Sequence, residues 1–252
     1  MNNFLDILSE FQPITLSEMD GVSLLNRTDV KFVFNRSEIQ SILSEAIDNY
    51  RVLVVENLCY SDYLTQYFDT DNFKFYYDHH NGRYNRYKVR MRTYVESDLS
   101  FFEIKFKNNK SRTIKSRIRI PQQEPEIKDN AANLLEKVVG ISPERLEEKL
   151  LIKSKRITLV NKGLTERVTL DFDMNYLVND EWHSYPEIMI AEVKQDKSDK
   201  SEFINIMRKR HIHQTSLSKY CFGMANFMEG IKYNNFKKQI SYVNKISNRN
   251  AI

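Results

Sequence analysis

The sequence predicts an α+β protein built on a closed, antiparallel, eight-stranded β-barrel with a polar lumen, with helices packed outside it and at its ends. Three observations lead there. First, residues 83–119 read as three consecutive strands, roughly 86–95, 100–108 and 112–120, in which every second residue is charged. These are Lys88, Arg90 and Arg92, then Glu103, Lys105 and Lys107, then Lys115, Arg117 and Arg119. The positions between them are mostly apolar: Val89 and Met91, then Phe102, Ile104 and Phe106, then Ile114, Ile118 and Ile120. Successive side chains on a strand point to opposite faces, so adjacent strands pool these cations on one face. Second, this segment holds 12 Lys/Arg against three acids, a net of +9, whereas the whole chain is only +4. An ordinary solvated face would explain the alternation, but such a face mixes signs to relieve cross-strand repulsion, and here cations dominate. Third, the pattern returns later with single acids embedded in it. A lining of Arg and Lys with a few carboxylates suits a polyanion accompanied by a divalent metal.

The elements follow in order. Phe4, Leu5, Ile7, Leu8 and Phe11 have helical spacing and predict a short amphipathic helix in residues 1–20 that stops near Pro13 and packs on the barrel. A strand at 26–34 sets Arg27, Asp29 and Lys31 on one face. Ser37 can cap a helix to about Ile47 that buries Ile39, Ile42, Leu43 and Ala46. Strands at 51–58 and 61–69 come next, the second ending in Tyr67-Phe68-Asp69-Thr70. In the aromatic stretch 71–85, the adjacent His79 and His80 point apart on a regular chain, so a loop or helix-end role outweighs metal ligation. After the basic strands, a connector at 121–130 leads to helices at 129–139 and about 143–150, the second opened by Ser142-Pro143-Glu144. Strand pattern resumes at 151–160, with Lys153, Lys155, Ile157 and Leu159 on one side and Arg156 and Thr158 on the other. At 166–173, Arg167, Thr169, Asp171 and Asp173 alternate with apolar residues, and at 187–194 Glu192 and Lys194 share a face. Ser198 or Ser201 starts a helix to about Arg210, and a last helix follows Ser216 to Tyr220 as far as about Gly230. Residues 21–230 are expected to form one domain, with 231–252 a basic, Asn-rich C-terminal tail.

A hydrophobic content of 41% supports a sizeable core, and six Gly and five Pro exclude a loop-dominated chain. Cys59 and Cys221 lie far apart in apolar company, which predicts reduced thiols and a cytoplasmic location rather than a disulfide framework. No apolar run of about 18 residues occurs, so no membrane span is expected. The N-terminus lacks the pattern of a signal peptide.

Several motifs, taken together and in order, resemble a known family. They are Asp29-Val30-Lys31-Phe32-Val33-Phe34, Tyr67-Phe68-Asp69-Thr70, Tyr87-Lys88-Val89-Arg90-Met91-Arg92, Phe102-Glu103-Ile104-Lys105-Phe106-Lys107, Arg167-Val168-Thr169-Leu170-Asp171, Ala191-Glu192-Val193-Lys194 and Ser218-Lys219-Tyr220-Cys221-Phe222-Gly223. Across about residues 20–230 the chain resembles the VTC domain, the polyphosphate polymerase branch of the triphosphate tunnel metalloenzymes in the CYTH-like superfamily. The resemblance implies the triphosphate tunnel fold and a metal-dependent transferase that moves the terminal phosphoryl group of ATP onto polyphosphate. It implies phosphate ligands at Lys31, Arg90, Arg92, Lys105, Lys115, Arg117, Arg156, Lys194 and Lys219, with Arg90, Arg92 and Lys105 catalytic. It implies Mn²⁺ or Mg²⁺ held by Glu192 and Glu103, with Asp171 a further candidate.

Phosphoryl transfer needs charge neutralisation and in-line positioning more than covalent chemistry, and Arg forks grip phosphate oxygens at two points. The first strand departs from the family pattern. Hydrolytic relatives begin Glu-x-Glu-x-Lys, where this chain has Arg27-Thr28-Asp29-Val30-Lys31. Losing one carboxylate and gaining a cation favours long-polyanion binding over hydrolysis. The alternatives that stay open are a tunnel-type triphosphatase acting on inorganic or nucleoside triphosphate, and a polyphosphate binder without turnover. Duplex nucleic acid is not an expected partner, because a closed lumen would not admit it and no base-reading helix is evident.

Overall fold

The apolar half of the alternating pattern is buried, with Val89, Met91, Phe102 and Ile104 each at 3% exposure or less. The cationic half, led by Arg90 and Arg92, is buried as well. Both faces of the first basic strand are therefore covered around Arg90 and Arg92, and the alternation there separates a greasy interior from a charged one. The computed structural model describes residues 4–19, 27–110, 112–124, 126–196 and 200–247.

In chain order the elements begin with β1 (Gln12–Ile14), α1 (Leu16–Met19), β2 (Arg27–Asn35), α2 (Ile39–Ala46), β3 (Tyr50–Leu53) and β4 (Ser61–Asp69). Next come α3 (Lys74–His80), β5 (Arg86–Tyr94), β6 (Leu99–Lys107), β7 (Thr113–Ile120), α4 (Asp129–Val139) and β8 (Glu147–Asn161). The chain continues with β9 (Glu166–Val178), β10 (Glu181–Tyr185), β11 (Ile188–Asp196), α5 (Glu202–Lys209), α6 (Lys219–Phe227) and α7 (Lys237–Ile246).

The α+β class and the large antiparallel sheet are as expected, but the closed eight-stranded barrel is corrected on two counts. Among the described residues the sheet has 11 strands, and its main path, β2-β11-β9-β8-β4-β5-β6-β7, does not close on itself. The extra strands hang from this path: β3 pairs with β8, β1 runs parallel to β3, and β10 forms a hairpin with β9. The reason for non-closure lies in the two terminal strands. The outer edge of β2 is occupied by the segment before α6, through a bridge between Phe32 and Gln214 and a hydrogen bond from the Thr215 N–H to the Lys31 carbonyl at 2.8 Å. The far strand, β7, keeps Ile114, Lys115, Arg117 and Arg119 exposed. The sheet is a deeply curled trough with a seam.

Three apolar clusters hold it. One lies outside β2, β8, β9 and β11, where the 3-10 helix Phe4–Glu10, α2 and α5 pack through Leu8, Ile42, Leu43 and Phe203. A second lies outside β5 and β6 beneath α4, around Phe102, Ile104 and Leu135. Full burial of such side chains contributes about 2 kcal/mol each. The third seats α6 and α7 on Tyr67, Leu150, Ile152 and Tyr176.

Several boundaries differ from the sequence reading. The helix expected at 143–150 is only a 3-10 turn, Pro143–Arg145, because β8 begins at Glu147 to pair with Asp69. The aromatic stretch 71–85, for which the sequence offered a loop or a helix end, contains α3, which the buried Asp69 carboxylate starts by accepting the N–H groups of Phe75 and Tyr76, each at 2.8 Å. The expected tail contains α7, anchored by Ile240 and Val243, and the Tyr242 hydroxyl donates to the Val33 carbonyl at 2.9 Å. Ser201 starts α5 by accepting the Ile204 N–H at 3.0 Å, while Ser198 lies outside the described residues. No helix among the described residues is long and apolar enough to cross a membrane.

Candidate functional site

Strand register brings the cations together. Arg90 on β5 faces Tyr67 on β4 and Glu103 on β6, and two residues along Arg92 faces Thr65 and Phe101. The Arg90 guanidinium donates to Glu103 Oε2 through Nε at 2.7 Å and Nη2 at 2.5 Å, and to the Tyr67 hydroxyl at 3.2 Å. Glu103 is fully buried, and Lys115 on β7 forms its second ion pair. Burial would raise this carboxyl, but Arg90, Arg92 and Lys115 outweigh it and hold it well below the usual carboxylate range. Arg92 donates to Thr65 Oγ1 at 3.2 Å and lies 5.4 Å from the Tyr63 ring. Among the described residues, no carboxylate pairs with it.

A second group comes from the other half of the trough. Arg156 on β8 grips Asp171 on β9 in two-point fashion, at 2.6 and 2.9 Å, and Lys219 at the start of α6 reaches the same carboxylate at 2.7 Å. Burial opposes ionisation of Asp171, yet Arg156 and Lys219 keep it far below its ordinary value. Burial also pushes Lys219 down to about 8, with Asp171 opposing the shift. On β11, Glu192 pairs with Lys194 at 2.6 Å and with Lys31 of β2 at 3.5 Å.

The two halves face each other. Lys105 on β6 interacts electrostatically with Glu192 and Lys194 on β11, and Lys88 on β5 with Lys31 on β2, though these strands share no ladder. Lys105 has no acid within ion-pair distance among the described residues. The nearby Arg90 charge, then burial, then Arg92 push its amine down to about 5. Lys88 is lowered by burial, and its Nζ donates to Ser218 Oγ at 2.9 Å.

The predicted residues thus converge, with one at the rim. Arg117 is exposed on β7, its guanidinium 4.7 Å from the Phe101 ring. Glu103 pairs with Arg90 and Lys115 rather than with Lys105, and Asp171 with Arg156 and Lys219. Asp29 lines the trough, while the side chain of Arg27 is outside those described. His79 and His80 end α3. The His79 Nε2 lies 3.2 Å from the Tyr87 carbonyl, and burial, with Lys88 and Arg86 nearby, drives its pKa down to about 2, so it stays neutral. Sequence reasoning did not single out Lys88, Tyr67, Tyr63 or Thr65 as site residues. The Lys88 signal was its place in the alternating row, whereas the polar tyrosines and threonine of β4 resemble ordinary strand residues.

Two features seat Lys219. The Ser218 side chain caps α6, accepting the Cys221 N–H at 3.2 Å. A Cβ on Gly223 would come within 2.8 Å of Tyr176 Cδ1 and 2.9 Å of Leu150 Cδ2, so only glycine lets α6 lie this close to β8 and β9. Next to Lys219, Tyr220 donates to Asp69 at 2.5 Å and stacks on Tyr67 with ring centroids 5.0 Å apart. The motif Tyr67-Phe68-Asp69-Thr70 therefore supports both Arg90 and Lys219.

For a divalent metal, no group of three or more His, Cys, Asp or Glu side chains gathers among the described residues. Glu103 does not fit, being buried and committed to Arg90 and Lys115. Glu192 fits, with a side chain 21% exposed on the wall of the trough, since Mg²⁺ is commonly held by one or two carboxylates plus substrate phosphates.

Comparison with known proteins agrees with this geometry. The VTC domain family model matches residues 26–228. The chain belongs to the VTC domain family. No curated protein sequence matches it. The VTC domain is similar in fold to a candidate adenylate cyclase from Bacillus halodurans, with TM-score 0.52 and 13% identity over 81% of this chain and 98% of that one. It is also similar to the candidate adenylyl cyclase HpAC1 from Hippeastrum, described as having a dominant triphosphatase activity, with TM-score 0.54 and 11% identity over 80% and 97% of the two chains. These likenesses show that the VTC domain shares the fold of those two proteins.

Proposed function

We propose that this VTC domain is a polyphosphate polymerase that transfers the γ-phosphoryl group of ATP to the end of a polyphosphate chain. One observation carries the reading: cations outnumber carboxylates on the concave face, and Glu103, Asp171 and Glu192 are each already matched by two of them. Among the described residues, Lys105, Arg92 and Lys88 have no carboxylate within ion-pair distance, and a string of phosphates would supply the anionic partners that keep them protonated. An oxygen of the chain's terminal phosphate forms the new bond to Pγ, and the bond from Pγ to the β-phosphate oxygen breaks, releasing ADP. The attacking oxygen is already anionic, so no general base is required. Arg90, Arg92 and Arg156 would align the phosphates and neutralise the charge that moves to the leaving oxygen, with Lys31, Lys105, Lys115, Lys194 and Lys219 completing the row and Arg117 at its rim. Mn²⁺ or Mg²⁺ held through Glu192 would supply Lewis-acid stabilisation.

Hydrolysis of a triphosphate is the second reading, favoured by the fold shared with the Hippeastrum protein and its described triphosphatase activity. Incubation with ATP and Mn²⁺ separates the two. Growth of acid-stable chains degraded by a polyphosphatase is expected. Release of inorganic phosphate from triphosphate without chain growth would establish the hydrolase, and binding without either product would leave a non-catalytic polyanion receptor.

A further inference from the structure

At the seam between β2 and β7 the trough opens into a cavity of about 360 Å³. Its two sides differ in chemistry. One side is cationic, with Lys31, Lys88, Lys105 and Lys107 facing inward beside Glu192. The other is apolar, built by Leu217 and Phe222 of the α6 region, Phe236, and Ile240 of α7. Gln239 lies on this apolar side, and its side-chain oxygen is buried with no hydrogen-bond partner among the described residues.

An inorganic phosphate chain has no surface that would gain from an aromatic and aliphatic wall. A ligand with an apolar ring at one end and phosphates at the other matches both sides, and ligand pockets of roughly 300–1,000 Å³ accommodate molecules of that size. The unpaired Gln239 amide offers a donor and an acceptor together, the pattern that the polar edge of a base can pair with. From the cavity the cations continue as a row, since Lys88, Arg90 and Arg92 occupy every second position of β5, about 6.7 Å apart.

We propose that the α6–α7 wall of this cavity takes the nucleobase of a nucleoside triphosphate, whose phosphates run over Lys88 and Lys105 toward Arg90 and Arg92. The inference rests on the reading of the concave face as a phosphate site, and it gives that site a direction. The nucleotide enters at the seam, and the growing chain lies beyond Arg92 and Arg156.

The test compares two ligands by calorimetry in Mg²⁺ buffer: β,γ-imido-ATP, which carries a base, and inorganic tripolyphosphate, which does not. Phe236→Ala removes the ring, and Gln239→Leu removes the amide. Phe236 also touches Tyr76 and His80, so Gln239→Leu, at a half-buried position of α7, stands as the variant that keeps the fold. Each is expected to weaken the nucleotide roughly tenfold and to leave tripolyphosphate affinity unchanged. If the unmodified protein binds tripolyphosphate but the variants bind the nucleotide normally, or lose both ligands equally, the base site is refuted and the phosphate site stands. If the unmodified protein binds neither ligand, both readings fall.

Discussion

The pKa of the Lys105 amine is lowered to about 5 by Arg90, burial and Arg92, so the fold itself gains nothing from a charge at this position. Lys105 stands opposite Lys88 and Lys115 across the ladders, with no carboxylate within ion-pair distance among the described residues, so any charge it takes is opposed by its neighbours and an alanine forfeits no ion pair. Lys105→Ala is therefore expected to leave the denaturant midpoint unchanged or raised while weakening tripolyphosphate binding about tenfold or more. A clear loss of stability with unaltered binding would contradict its assignment. Arg90 behaves oppositely, because Arg90→Ala strands the buried Glu103 and should cost about 3–5 kcal/mol of stability as well as activity. At this scale the sequence shows the residue types that line the trough but not their partners. Glu103 is two positions from Lys105 in the chain, yet the register sets it beside Arg90 and brings Lys115 to it from the next strand.

At the scale of elements, α6 decides where Lys219 stands. Its N-cap Ser218, the close approach at Gly223 and the Tyr220 hydroxyl on Asp69 hold the helix against β4, β8 and β9. Gly223→Ala should cost about 1–3 kcal/mol by overpacking and should lower phosphate binding through displacement of Lys219 from Asp171. Unfolding curves and tripolyphosphate titrations check this together, and an alanine variant with native stability and affinity would show that the helix has room to move. The motif around Gly223 was legible in the sequence as a motif, whereas its cause was not. The crowding comes from Leu150 and Tyr176, distant in the chain and brought together only by the sheet. The helix at α7 was missed for a related reason: its polar and basic residues mask a narrow apolar stripe, Ile240 and Val243, that has meaning only against the cluster beneath α6.

For the whole molecule, the crowding of cations in the trough acts on the protonation of its amines. The Arg90 charge, with burial and Arg92, depresses Lys105 to about 5, and burial depresses Lys219 to about 8. An amine with a lower pKa in the folded state binds fewer protons there than when unfolded. Lys105 therefore makes the free protein more stable as pH rises from about 5 to about 10, the range between its folded and unfolded values. A bound polyphosphate favours the protonated amine, so binding at pH 7 should take up protons, and affinity should fall as pH is raised toward 9. Calorimetry at pH 7 in buffers of different ionisation enthalpy measures the uptake directly. Proton release on binding would refute the placement of the anion beside Lys105.

The sequence by itself determined the strand periodicity, the sign and concentration of charge, and the order of motifs that marks the family. Each of these is written in residue type and local spacing, and a period of two survives any arrangement of the strands. Tertiary structure alone decided that the sheet stops short of closure, that β7 stays at an exposed rim, and that Lys105 has no acid within ion-pair distance among the described residues. Those outcomes depend on which distant segment reaches an edge first. Here the chain before α6 takes the free edge of β2 through Gln214 and Thr215, and the seam it leaves gives the cavity its place.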